Sequence, residues 1–172
     1  MQSLELCYEP GVHKGLFQFE NDFYAGYKGK ITDNLGYQVG GTIYYYYPGW
    51  ESTGYETFLG LSYKELTVTA QTLLNNVTFG NKGDTYFLAT YAPALPAGFT
   101  GKAQIGAYYY GDDDEFTAKT ENTFAFRHAT LGLSHALGET GANWSLDYIL
   151  GGYDRTEIKQ KNKVVLGLAY AF

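Results

Sequence analysis

Large apolar side chains recur at every second position along most of this chain, and that period restricts its fold more than any other feature. In "LGYQVGGTIYYYY" Leu35, Tyr37, Val39, Gly41, Ile43, Tyr45 and Tyr47 alternate with Gly36, Gln38, Gly40, Thr42, Tyr44 and Tyr46. Successive side chains of a strand point to opposite faces, so such a segment carries one apolar and one polar face. "LFQFENDFYAGYK" repeats the pattern, with Phe17, Phe19, Phe23, Ala25 and Tyr27 opposed by Gln18, Glu20, Asp22, Tyr24 and Lys28. "YETFLGLSYK", "FTGKAQIGAYYY" and "NWSLDYILGGY" follow the same rule. No segment reads as a helix of more than two turns. The 18 Tyr, 11 Phe and 22 Gly, against four Pro and one Met, suit β-structure.

Strands are expected over roughly 2–9, 15–28, 35–47, 55–64, 66–74, 85–92, 99–110, 122–137, 143–154 and 163–172. Over 85–92 either parity could face outward. Along "TFAFRHATLGLSHAL" the apolar parity flips from Phe124 and Phe126 to Ala129, Leu131 and Leu133, which a β-bulge near Arg127–His128 would produce. Short connections ("KITDN", Glu65, "PALPAG", "GETGA") alternate with longer polar ones ("PGWESTG", "NNVTFGNKGD", "GDDDEFTAKT", "RTEIKQKN"). That is the layout of an antiparallel up-and-down β-barrel, all-β and about ten-stranded, with eight or twelve as alternatives. Residues 1–172 form a single domain of this kind.

Net charge −6 and a pI of about 5 leave no basic stripe for phosphates, which excludes nucleic acid as a partner. The single cysteine, Cys7, cannot form an internal disulfide and reads as a small buried hydrophobe. No apolar run approaches the roughly 18 residues of a membrane helix, but a spanning β-strand needs only about 10 alternating residues. "MQSLELCYEP" has neither a basic start nor an apolar core, so it is not a signal peptide. The chain is therefore either cytosolic or lacks its natural N-terminus.

A soluble barrel hides its apolar face and a membrane barrel turns it into lipid. Alternation cannot separate the two, but the aromatics can. With Phe172 placed at the short-turn end, the apolar face carries Tyr27, Tyr37, Tyr63, Phe99, Trp144 and Tyr170 there, and Phe17, Phe19, Tyr45, Tyr47, Tyr55 and Tyr109 at the long-loop end. Val39, Ile43, Leu59, Leu61, Val68, Ile105, Leu146, Leu166 and Leu168 lie between. Two aromatic belts around an aliphatic band are expected where Tyr and Trp sit at lipid headgroups. The opposite face then lines a lumen, with the charges Glu20, Asp22, Lys28, Glu56, Lys64, Lys102, Arg127 and Asp147 as a solute path or a plug. Tyr24, Tyr44, Tyr46, Tyr108 and Tyr110 also point inward, so about ten strands leave at most a narrow passage.

"ENDFYAGYKGKITDNLGYQVGGTIYYYYPG", "YETFLGLSYKEL", "LPAGFT…IGAYYYGDDD" and "VVLGLAYAF" resemble the TorF-type porins of Gram-negative bacteria, over nearly the whole chain. The resemblance implies a bacterial outer-membrane barrel, a lipid bilayer around it and small solutes as cargo. It also implies a secretion signal and a first strand that this chain lacks, and about two further strands. The closing row Val164, Leu166, Leu168, Tyr170 and Phe172 resembles the signal read by the outer-membrane assembly machinery, and is expected to pair with the first strand and close the barrel.

Catalytic chemistry finds little support. His13, His128 and His135 show no ligand spacing with Cys7, so no metal and no cofactor is expected. Ser134 and His135 are strand neighbours on opposite faces and cannot pair as nucleophile and base, and "GLSHALG" is not G-x-S-x-G. Asp112, Asp113, Asp114 and Glu115 read as a solvated loop before they read as a Ca²⁺ site. The expected function is a non-enzymatic outer-membrane porin or narrow channel for small solutes. The rivals are a non-conducting surface-interaction barrel and a soluble lipid-binding barrel.

Overall fold

The computed structural model describes residues 3–13, 18–47, 52–111 and 120–170, with the backbone alone for 3–13, 18 and 19. The described residues form one antiparallel sheet of ten strands in strict sequence order: β1 Ser3–His13, β2 Gln18–Lys30, β3 Leu35–Tyr47, β4 Gly54–Tyr63, β5 Leu66–Leu73, β6 Thr85–Tyr91, β7 Phe99–Tyr109, β8 Phe124–Ala136, β9 Ala142–Gly151 and β10 Lys163–Tyr170. Every strand expected from the alternation is present. β1 runs four residues further than expected, through Pro10, a residue tolerated where a strand lies at the sheet's edge.

Each strand pairs antiparallel with the next, as a meander requires. The β7–β8 ladder shifts once: Gly106 pairs with His128 and Ala107 with Phe126, leaving Arg127 as the extra residue. This bulge is what the parity flip requires, and it turns Arg127 toward the interior beside His128. The β6 parity left open by the sequence is fixed too, with Phe87 and Tyr91 outward and Tyr86 inward.

Lys64, expected on the wall, lies instead in the two-residue turn between β4 and β5. Its φ is +51°, as a hairpin this tight demands, and its Nζ sits 5.6 Å from the Tyr63 ring. The left-handed residue ends β4 at Tyr63.

The sheet is strongly curled. Side chains of Tyr44 on β3 and Tyr108 on β7 line one cavity, although four strand spacings on a flat sheet would hold them roughly 19 Å apart. The expected pairing of the last strand with the first is not formed: among the described residues no ladder joins β10 to β1. Across the long-loop end Arg155, between β9 and β10, reaches Asp84, between β5 and β6, and so ties two sides of the curl together.

The apolar face of the curl points outward. Leu59 is 60 % exposed, Leu131 67 % and Leu168 77 %, whereas inward-pointing Thr130 is 4 % exposed. Phe58 and Leu73 are apolar side chains on the inner face. The Phe58 ring lies against Gly40, where an added Cβ would collide with it, so the glycine gives the ring its place.

Candidate functional site

The long loops and the upper ends of β2, β3, β4, β7 and β8 surround the most elaborate polar region of the molecule. A cavity of about 470 Å³ is walled by Tyr44 and Glu56 on one side, by Arg127, Asp154 and Arg155 on the other, and by Tyr108, Tyr110 and Phe79 between them. Below it a second cavity of about 290 Å³, with Asp22, Tyr24, Thr42, Phe58 and Gln71, shares Tyr44 as a wall.

The mouth is fastened by a clasp of three loops. Asp84 is buried, and its carboxylate accepts hydrogen bonds from Arg155 Nη2, from the Asn81 backbone N–H at 2.9 Å and from that of Gly111 at 2.8 Å. Arg155 Nη1 donates to Thr120 Oγ1 at 3.4 Å, and its backbone carbonyl accepts from Glu121 and Asn122. Its guanidinium carbon lies 4.8 Å from the centre of the Tyr110 ring, which stacks parallel on Tyr108 at 4.9 Å. Arg155 thus ties the β9–β10 loop to the other two by charge, hydrogen bonds and a cation–π contact.

Next to the clasp, burial pushes the Asp154 carboxyl up, but the backbone N–H groups of Ile158 and Thr156, the Thr156 hydroxyl and the Arg127 charge outweigh it. They hold Asp154 below the ordinary carboxylate range.

The inward charges expected from the sequence fall in four places. Glu20 accepts from Tyr46 Oη at 2.6 Å and Glu56 from Tyr44 Oη at 3.0 Å; with Asp22 they give the β2–β4 wall an acidic upper half. Arg127 stands on the opposite wall, and its Nη1 atom is buried with no hydrogen-bond partner. Lower down, Lys102 Nζ donates to Asp147 Oδ2 at 2.6 Å across Gly132 on the strand between them; a Cβ there would collide with both partners. Lys28 sits at the short-turn rim with Lys30 and the turn residue Lys64, around a shallow depression of about 400 Å³.

Of the belt residues, Tyr45, Tyr47, Tyr55, Tyr63, Tyr109 and Tyr170 are exposed on the outer face. Tyr27 and Tyr37 pack against each other at 6.1 Å, and Trp144 packs edge-on against Phe99 at 6.2 Å. Tyr91 and Phe124 extend the short-turn and long-loop belts respectively. In the terminal row Val164, Leu166, Leu168 and Tyr170 all face outward; Phe172 lies outside the described residues, as do residues 112–115 and the side chains of Cys7, His13, Phe17 and Phe19.

The other two histidines have structural partners. His128 Nε2 lies 2.5 Å from Tyr86 Oη and His135 Nε2 lies 3.0 Å from the Ala97 carbonyl. Among the described residues no three His, Cys, Asp or Glu side chains converge as metal ligands. Sequence reasoning missed Asp84, Asp154 and Arg155, because residues so far apart along polar loops have no periodicity that would pair them. No family model, no curated protein and no solved structure matches this chain.

Proposed function

We propose that this protein is a bacterial outer-membrane β-barrel of the TorF type, acting as a narrow channel for small solutes. The observation that carries the reading is the inverted sheet: aliphatic and aromatic side chains on the outside, tyrosines and charges within. In water such a surface would be an aggregation hazard; in a bilayer it is the lipid-facing band of a spanning barrel. A soluble lipid-binding barrel requires the reverse arrangement. On this reading the long loops are extracellular, the clasp narrows the outer mouth, and assembly reads the terminal row in the membrane-bound machinery's client signal. Insertion brings β1 and β10 together, since an unpaired ladder edge inside hydrocarbon would leave backbone groups without partners.

Ten strands filled with inward tyrosines suit small solutes better than wide-pore conduction. Planar-bilayer recording on refolded protein tests the channel: small unitary currents are expected, and their absence at every voltage would leave the non-conducting surface barrel as the reading.

A further inference from the structure

The cavity at the mouth separates unlike charges. Glu56 accepts a hydrogen bond from Tyr44, and among the described residues no cationic side chain pairs with it. Across the same space Arg127, whose charge also acts on the neighbouring Asp154 carboxylate, presents a buried Nη1 atom with no hydrogen-bond partner. The second arginine of the cavity, Arg155, is already engaged by Asp84, so it is not the open cation. A buried donor atom without an acceptor is costly, and a solute carrying both signs would satisfy it while its cationic end meets the Glu56 carboxylate. Tyr44, Tyr108 and Phe79 add aromatic surface between the two charges, which suits an ammonium group and an apolar side chain.

We propose that this cavity binds small zwitterionic solutes, the free α-amino acids being the class that fits, with the solute carboxylate on Arg127 and its ammonium directed to Glu56. A volume of about 470 Å³ accommodates such a molecule with room for a large side chain. The assignment rests on the channel reading for its biological sense, but not for its binding chemistry.

Calorimetric titration of the refolded protein in detergent micelles tests it, using leucine, N-acetyl-leucine (carboxylate only) and leucine amide (ammonium only). Leucine is expected to give saturable heat, and each singly charged analogue to bind about tenfold more weakly, the loss of one charged hydrogen bond. Arg127→Met should weaken leucine and spare leucine amide; Glu56→Gln should weaken leucine and spare N-acetyl-leucine. Equal affinity for all three, or no heat with leucine from protein that retains its folded circular-dichroism transition, would overturn the proposal. KCl conductance of the same preparation reads the channel separately. A conducting barrel that ignores leucine defeats only the solute assignment, and a silent barrel that binds leucine defeats only the channel.

Discussion

The two faces of this sheet are made from the same ten strands and depend on different surroundings. The inner side finds many of its partners within the chain: Tyr44 with Glu56, Tyr46 with Glu20, Tyr86 with His128, Lys102 with Asp147 and, in the loops at the mouth, Arg155 with Asp84. The outer face finds few. Leu59, Leu131, Leu166 and Leu168 project from the strands with most of their surface open, and only a medium outside the protein can cover them. Alternation therefore divides the molecule into a half held largely by its own contacts and a half that is completed by its environment. The first should respond to single-residue changes in any medium, and the second only when the medium is a bilayer.

The largest expected effect is on the inner side. Arg155→Ala strips the guanidinium from the buried Asp84 carboxylate, and breaking a buried pair this way costs about 3–5 kcal/mol. Chemical denaturation should show that loss alike in micelles and in bilayers; a loss below about 1 kcal/mol would mean that the two backbone donors suffice for Asp84. Leu59→Arg sharpens the contrast from the other side. Near the middle of a spanning strand an arginine on the lipid face costs about 2–4 kcal/mol, and folding into bilayers should register it. A negligible cost there would show that the outer face does not meet lipid.

Gly132→Ala should have a smaller effect. Its Cβ displaces the Lys102–Asp147 pair, which is a third exposed on the lysine side, so about 1 kcal/mol is at stake. The smallest effect concerns pH. Asp154 titrates below the ordinary carboxylate range, so its contribution is complete at neutral pH and lost as pH falls through its folded-state pKa. Amide exchange at Thr156 and Ile158 should therefore accelerate relative to the wall strands in acid, and Asp154→Asn should remove that dependence. An unchanged exchange pattern would mean that the Asp154 hydrogen bonds do not hold the loop.

Most of the fold was legible because its signal is local. The ten strands, their order and the parity flip at Arg127–His128 all follow from period-two alternation and loop composition, and the bulge appears at the residue pair the flip indicated. The inward positions of Glu20, Glu56, Lys102 and Asp147 follow from the same parity. Three features were not legible. Lys64 obeys the parity of β4 yet belongs to the turn, since a two-residue hairpin takes the left-handed residue from the strand's end. Asp84 and Arg155 meet across 71 positions, and no spacing rule reaches that far. That no ladder joins β1 to β10 among the described residues is likewise a property of how the whole sheet curls, which no individual strand records.

The central claim is that the apolar face of the strands is the one that lies in lipid. Nitroxide labels at Leu61→Cys, Ile105→Cys, Leu131→Cys and Leu168→Cys, compared with Gln71→Cys, Gln104→Cys and Asp147→Cys in a Cys7→Ser background, measure this directly in reconstituted bilayers. The account expects the first four to be relaxed by dissolved oxygen and shielded from a water-soluble nickel chelate, and the last three to show no such lipid signature. Outer-face labels that respond to the nickel chelate as freely as an exposed loop would contradict it.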